Sequence, residues 1–455
     1  MNETINHIAP GQTIIAVDLG TTSVRAIAAE ITAHERLRLL GMETEPCPAN
    51  TMRYGTVTDT SEVALCVNTC LRKLRNSVKN KMNRDIDISH VFVSLGSRHS
   101  TVHAAKVNKK LTNRLVSKDK LNDLQEKVKN DFASKNDEAH IYNITCYRTV
   151  LDNSTELSLE DAINSKAENI EMDFFFIVDK ENKHKYMERI FLQTGSVRHT
   201  AFSKAEALSA AVLTDEDKQN GCAIIDFGAQ TTTLIVYHNN KITHLKVVRL
   251  GGDNITRDIA EFNIATPMAE AIKQRFIDIS GRRKNSRLKV INCINGQPQH
   301  IDTNLLEHVA RCRIDEIMEP LLHVINEEAD FSGGKVYITG KGSHLQGIDE
   351  YLQKHTDMTV EYGNHDAWLA ADTAEDFSDP ALSMMIGTLA CAIEHIKQQQ
   401  PGDTAKAGKD GKTQKRNTAK GGLTGIFGKV GDWVQKEMDG LFQDADDEPQ
   451  QRRTK

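Results

Sequence analysis

The chain has 455 residues, 39% of them hydrophobic and 26% charged, and a formal net charge of −6. That size accommodates two or three domains with packed cores. The acidic balance and an aromatic content of only 5% speak against nucleic acid as a partner, because phosphate backbones need cationic surfaces and single strands need stacking platforms.

The opening MNETINHIAPGQ lacks a basic start followed by an apolar stretch, so no secretory leader is expected. No run approaches about 18 apolar residues, so no membrane span is expected either. From Gln12 to about Ile396, strand-like and helix-like stretches alternate, which indicates an α/β body. Strands are expected at Thr13–Leu19, Val24–Ala29, His90–Leu95, Asp173–Val178, Cys222–Asp226, Thr231–Tyr237 and Lys335–Thr339. Helices are expected at Glu62–Val78, Asn182–Thr194, Lys204–Leu213, Asn254–Phe262, Met268–Phe276, Leu305–Asn326 and Leu382–Ile396. The eight cysteines show no metal-ligand or disulfide spacing, as expected of a reducing cytosol. Cys66 and Cys70 read as small buried residues on one helix face rather than a redox pair.

Composition changes after Ile396. Residues 397–422 combine seven Lys/Arg with two Asp and offer almost nothing apolar to bury, so they read as a flexible basic linker. Beyond it, Leu423, Ile426, Phe427, Val430, Trp433, Val434, Met438, Leu441 and Phe442 recur at helical spacing. Lys429, Asp432, Lys436, Glu437 and Asp439 fall largely on the other side, so 423–442 reads as an amphipathic helix. Its Trp and bulky Phe/Ile side chains suit the headgroup boundary of a membrane, and the linker supplies attraction to anionic lipid. Docking on the protein's own body or on a partner is the competing reading. Residues 443–455 read as a disordered acidic tail.

The densest information lies in a repeated construction. IIAVDLGTTSVRAI (14–27) and CAIIDFGAQTTTLIVY (222–237) each place an aspartate, a glycine and threonines between two apolar runs, with the aspartates 208 residues apart. A tight glycine turn between strands aims several backbone N–H groups one way, a phosphate-binding arrangement. The hydroxyls of Thr21, Thr22, Thr231 and Thr232 add donors. Asp18 and Asp226, ending the first strand of each pair, would hold Mg²⁺ through water and orient an attacking water. One such turn is an ordinary hairpin signal, but two at domain-scale separation constitute internal self-similarity. KVYITGKGSHLQGI (335–348) adds a strand followed by glycines opening a helix, a cradle for a nucleoside.

In this order and spacing, VDLGTTS, IIDFGAQTTT and ITGKGSHLQGI resemble the two phosphate motifs and the adenosine motif of the actin-like ATPase superfamily. SKAEALSAAVLTDEDKQNGCAIIDFG, VVRLGGDNITRDIA and ATPMAEAIK resemble, within it, the bacterial cell-division FtsA family. The resemblance covers about 12–396, and the linker and amphipathic segment extend it. It implies an α/β actin-like fold: two similar halves around a nucleotide cleft, a small inserted α/β subdomain, and a C-terminal membrane-targeting helix. The implied domains are 12–86 (first half), 87–170 (insert), 171–205 (first half continued), 206–262 (second half), 263–324 (outer subdomain), 325–371 (second half continued) and 372–396 (a helix packing on the first half). The insert would hold His99 and His103, which on a strand share a face at some distance and are not expected to bind metal. ATP with Mg²⁺ is the implied cofactor.

The implied nucleotide-binding residues are Gly20, Thr21, Thr22, Arg25, Gly228, Gln230, Thr231, Thr232, Gly252, Glu270, Lys273, Gly340, Lys341, Gly342 and Ser343. Glu270 and Lys273 would reach the ribose and adenine; otherwise they belong to a solvated helix face. Three departures from the family stand out. Ala229 and Gln230 replace a glycine pair, Lys341 replaces a glycine, and AEAIKQRFIDIS lacks the glycine that normally follows this helix. The first two put hydrolysis in doubt more than binding, because a Cβ at a close approach costs room. The family implies self-association into filaments, membrane lipids met through the C-terminal helix, later division membrane proteins, and the C-terminal peptide of the ring protein FtsZ. Arg282, Arg283, Lys284, Arg287 and Lys289 could meet that acidic peptide or be a solvated loop. The location implied is the cytoplasmic face of the inner membrane, at the division septum. Two other classes stay open: a pilus-assembly or cell-shape actin homologue, disfavoured by the free amphipathic helix, and a small-molecule kinase, for which no acceptor-activating carboxylate motif is found.

Overall fold

The computed structural model describes residues 11–398, except 97–98, 137–138, 181, 196, 283–285, 330–333 and 374–376. The linker, the segment 423–442 and the acidic tail lie outside the described residues. Two compact units result, one of 11–254 with 315–398 and one of 255–314.

The first unit opens with β1 (Thr13–Leu19), β2 (Ser23–Ile31) and β3 (Leu37–Pro46), the short pair β4 (Met52–Arg53) and β5 (Thr56–Val57), helix α1 (Thr60–Met82) and β6 (His90–Leu95). An excursion follows through β7 (Thr101–Lys110), α2 (Lys118–Ala133), β8 (Ala139–Leu151), β9 (Thr155–Leu157), α3 (Leu159–Ala162) and β10 (Asn169–Lys180). The chain returns in α4 (Asn182–Gln193), β11 (Arg198–Ser203), α5 (Lys204–Val212) and α6 (Asp215–Asn220). Next come β12 (Cys222–Phe227), β13 (Thr232–His238), β14 (Lys241–Val248) and α7 (Gly252–Ala260), which leads into the second unit. That unit holds α8 (Thr266–Phe276), β15 (Arg287–Ile291), β16 (Pro298–Asp302) and the start of α9 (Thr303–His323). The first unit resumes with β17 (Lys335–Thr339), α10 (Ile348–Gln353), β18 (Thr359–Tyr362) and α11 (Ser383–Gln398).

The duplication in the sequence is a duplication in topology. One sheet has the order β3-β2-β1-β6-β11, the other β14-β13-β12-β17-β18. In each, the first three strands are antiparallel neighbours and the last two run parallel to the central strand. A central strand covered on both faces must be apolar on both, which is why β1 and β12 read as continuous apolar runs. Along β1 the side chains alternate. Ile15 and Val17 meet Val63, Val67, Leu71 and Leu74 of α1, and Ile14 and Ala16 meet Met385, Ile386 and Leu389 of α11. Cys66 and Cys70 lie on the buried face of α1, where burial pushes the Cys70 thiol up to about 12.

The excursion folds as an antiparallel sheet, β7-β10-β8-β9, with Leu121, Leu124 and Val128 of α2 packed in one cluster with Phe174 and Phe176. Its bounds differ from the expected 87–170. β6 pairs in parallel with β1 and with β11 and so belongs to the first sheet, and β10 continues past residue 170 to Lys180. Long-range parallel pairing leaves no local trace from which that boundary could be read. His103 packs on the rings of Phe132 and Phe176, with centroids 4.9 and 6.0 Å away. Among the described residues no group of three or more His, Cys, Asp or Glu side chains is placed to hold a metal ion.

Candidate functional site

The two repeated hairpins carry equivalent turns. Gly20 N–H donates to Ser23 O and Gly228 N–H to Thr231 O, each at 3.0 Å. A Cβ at Gly20 would stand 2.9 Å from Ser23 O, and one at Gly228 2.8 Å from Thr231 O, so only glycine closes either turn without displacement. The strand registers agree too: Asp18 stands opposite Arg25 across β1–β2, and Asp226 opposite Thr233 across β12–β13. Both turns line one cavity of about 150 Å³, together with Tyr54, Gly96, Lys204, Gly340 and Lys341.

The charges in this cavity are paired. Arg25 Nη2 and Nε both donate to Asp18 Oδ2, at 2.6 and 3.0 Å. Lys204 Nζ forms an ion pair with Asp226 Oδ2, while the Thr339 hydroxyl donates to Asp226 Oδ1 at 3.3 Å. All four charged side chains are 16% exposed or less. Lys204 is the first residue of α5, fixed by a capping box in which Ser203 Oγ accepts Glu206 N–H and Glu206 Oε2 accepts Ser203 N–H. Its alkyl stem passes over Gly96, where an added Cβ would come within 2.7 Å of Lys204 Cδ. In this structure Asp18 Oδ2 is paired with Arg25 and Asp226 Oδ2 with Lys204.

The second turn is braced from outside the hairpin. Gly252 N–H donates to Gly228 O and Asp253 N–H to Ala229 O, at 3.0 and 2.8 Å. A Cβ on Gly251 would lie 2.5 Å from Gly228 O, so this approach too requires glycine. Gly252 therefore shapes the turn through its backbone and does not line the cavity. The third motif does not open an α-helix as expected. Gly340, at φ +82°, leads into a 3-10 turn at Lys341–His344, and α10 begins only at Ile348. A Cβ on Gly342 would come within 2.3 Å of the Phe227 ring, and Ser343 Oγ donates to Gly340 O at 2.7 Å. Gly342 and Ser343 thus shape the motif, while Gly340 and Lys341 line the cavity.

Asp18, Gly20, Thr21, Thr22, Arg25, Asp226, Gly228, Gln230 and Thr231 all line the cavity as the sequence suggests. Thr232 does not. Strand alternation turns it away, and its hydroxyl donates to Leu250 O at 2.9 Å, while Thr233 faces the cavity. Lys204 was not singled out, although it stands second in the stretch SKAEALSAAVLTDEDKQNGCAIIDFG, because the S-x-x-E capping pattern marks a helix start and not a cavity residue. Glu270 and Lys273 lie in the second unit. Lys273 Nζ donates to Glu270 Oε2 at 2.7 Å and to Thr256 Oγ1 at 3.0 Å. Burial works to raise the Glu270 carboxyl, but the Lys273 ammonium and the hydrogen bonds from Lys273, Thr256 and Gln274 together outweigh it and hold the group below its ordinary value. On the same unit, Arg282, Arg287 and Lys289 are exposed. Arg283 and Lys284 lie outside the described residues.

Residues 223–387 match the family model described as cell division protein FtsA. Cell division protein FtsA of Neisseria meningitidis serogroup B is 23% identical over 452 residues, spanning 93% of this chain and 98% of that protein. The fold is similar to that of a PilM-PilN type IV pilus biogenesis complex (TM-score 0.58, 15% identity, 85% of this chain and 99% of that one). It is also similar to that of MreB5 of Spiroplasma citri bound to ADP (TM-score 0.50, 13% identity, 85% and 98%). With two sheets of matching topology around a shared cavity, this chain has the actin-like fold, and its residues 223–387 are similar to the family of cell division protein FtsA.

Proposed function

We propose that this chain is a cell-division protein that binds ATP in the cavity between its two glycine turns, assembles into filaments, and tethers an FtsZ ring to the inner face of the cytoplasmic membrane. The observation that carries the reading is the matched pair of turns, Gly20–Ser23 and Gly228–Thr231, converging on one cavity with Arg25, Lys204 and Lys341 as its cations. Backbone N–H groups and cations on one wall are what a polyphosphate requires. The likeness to an MreB5 bound to ADP supports a nucleotide as the ligand. A cavity of about 150 Å³ is smaller than ordinary ligand sites of about 300–1,000 Å³, so ligand entry requires the walls to part. Glu270 and Lys273 are the candidates for ribose and adenine.

An acidic peptide from the ring protein would meet the exposed cations Arg282, Arg287 and Lys289, and the segment 423–442 would lie in the lipid headgroup layer, with later division proteins joining there. No helix among the described residues is long and apolar enough to cross a membrane, so attachment rests on that segment. One copy would bind reversibly, whereas a filament would bind tightly through many linked copies. The test is a titration of the full chain with ATP, followed by pelleting with vesicles containing anionic lipid. Saturable nucleotide binding and nucleotide-dependent assembly on vesicles are expected; absence of nucleotide binding overturns the ATP reading. Binding of vesicles by the isolated 423–442 segment separates this function from that of a pilus-assembly scaffold.

A further inference from the structure

The structure assigns Arg53 and Arg249 as further phosphate ligands, which take the outermost phosphate of a nucleoside triphosphate where it projects past the cavity. This inference rests on the nucleotide reading above and concerns how that same site tells a triphosphate from a diphosphate.

The two guanidinium groups come from opposite halves of the fold. Arg53 ends β4, beside a tight turn in which Tyr54 (φ +50°) and Gly55 (φ +71°) both take left-handed backbone. Arg249 directly follows β14. Both side chains are exposed and both lie over the Tyr54 ring, 5.8 and 6.0 Å from its centroid. Two like charges are thereby gathered on one ring. Among the described residues neither guanidinium makes a hydrogen bond or an ion pair with a carboxylate. Arg25 and Lys204, by contrast, are paired with Asp18 and Asp226. An arginine–ring contact is weak at an exposed site and gives no reason to gather two cations there, whereas an anion does. The contact uses none of a guanidinium's five N–H donors, so both forks stay available to an oxyanion.

Their position selects a phosphate. Tyr54 lines the cavity, and its N–H donates to Gln230 Oε1 of the second turn at 3.2 Å. Arg249 leads into the segment that braces that turn, where Leu250 O accepts the Thr232 hydroxyl and Gly252 N–H donates to Gly228 O. Tyr54 and Val247 line the cavity while the two arginines do not, so the arginines stand at its rim. A cavity of about 150 Å³ does not enclose a nucleotide, so part of the ligand lies beyond it. A phosphate emerging past Tyr54 meets two forked donors, the strongest recognition a side chain gives that group. A diphosphate, one phosphate shorter, does not reach them.

The experiment is equilibrium titration of the full-length protein with ADP and with the non-hydrolysable β,γ-imido analogue of ATP, for the parent and for the double variant Arg53→Gln with Arg249→Gln. A thermal melt verifies folding, and Arg249→Gln alone takes the same comparison if the double variant does not fold. The parent is expected to prefer the triphosphate. The variant is expected to lose about tenfold or more for the triphosphate and less than about threefold for ADP. Repeating the ADP titration with added inorganic phosphate separates the two sources of the anion. Phosphate that tightens ADP binding in the parent alone, with triphosphate affinity unchanged by the variant, overturns the assignment in favour of free phosphate. Equal losses for both nucleotides, or a parent without preference, overturn the discrimination. Unchanged affinities overturn the role of both arginines and leave the nucleotide reading standing. A parent that binds neither nucleotide overturns that reading itself.

Discussion

Gln230 Oε1 accepts the backbone N–H of Tyr54 at 3.2 Å, so a side chain from the second phosphate turn reaches a loop of the other half of the fold. Tyr54 adopts φ +50° and its ring lies under the guanidinium groups of Arg53 and Arg249, at 5.8 and 6.0 Å. The equivalent position of the first turn holds the shorter Thr22. Gln230 therefore acts as a latch across the cavity. Gln230→Gly removes one hydrogen bond of about 0.5–1.5 kcal/mol that ligand entry must break. Nucleotide binding is expected to tighten about two- to tenfold in a fluorescent-nucleotide titration. Weakening by the same factor would show that the Gln230 amide instead donates to the phosphates.

Gly387 lets two helices touch. A Cβ there would stand 1.8 Å from Ala207 O and 3.1 Å from Ala211 Cβ, so α5 and α11 can approach this closely only around a glycine. Gly387→Ala must push the helices apart and loosen packing along α11, at a cost of about 1–3 kcal/mol or more. Urea unfolding should show a lower midpoint with an unchanged slope. A midpoint equal to the parent's would contradict the contact.

Acid should destabilise the fold through buried histidines. His140 is stacked on His184 at 3.2 Å between ring centroids. Burial, and secondarily the nearby His184, lowers it from 6.5 to about 4 even though Asp179 opposes the shift. His365 is fully buried between Ser383 Oγ and Phe377 O, and burial lowers it as well. Each is neutral in the folded chain where the unfolded chain takes up a proton. Stability is therefore complete above 6.5 and declines as pH falls toward about 4. Thermal melts across that range should show the decline, and His140→Gln should make it shallower.

The membrane reading has a direct test. Changing both Trp433 and Phe427 to Glu places two charges on the apolar face of 423–442. Burying such residues at a lipid boundary contributes about 1.5–3 kcal/mol each, so co-sedimentation with anionic vesicles should fall at least tenfold. Retention at the parent level would remove the segment from the attachment mechanism.

Much of this protein was determined within short windows of sequence. β1, β6 and β17 have the bounds their apolar runs suggest. The two turns follow from Gly20 and Gly228, because the need for a residue without a Cβ is local. The family motifs lie on the same short stretches. Other features depended on residues far apart in the chain. Strand alternation exchanged Thr232 for Thr233 at the cavity. Parallel pairing of β6 with β1 and β11 moved the edge of the insert. The third motif opens a 3-10 turn rather than an α-helix, with Gly342 lying close against Phe227. Most consequential are the partners of the two aspartates. The sequence shows that Asp18 and Asp226 are carboxylates at strand ends, a matter of residue type and local pattern. Their neutralisation by Arg25 and Lys204 depends on where β2 and α5 lie in space, and only the tertiary structure decides that, because charge pairing acts over distance rather than along the chain.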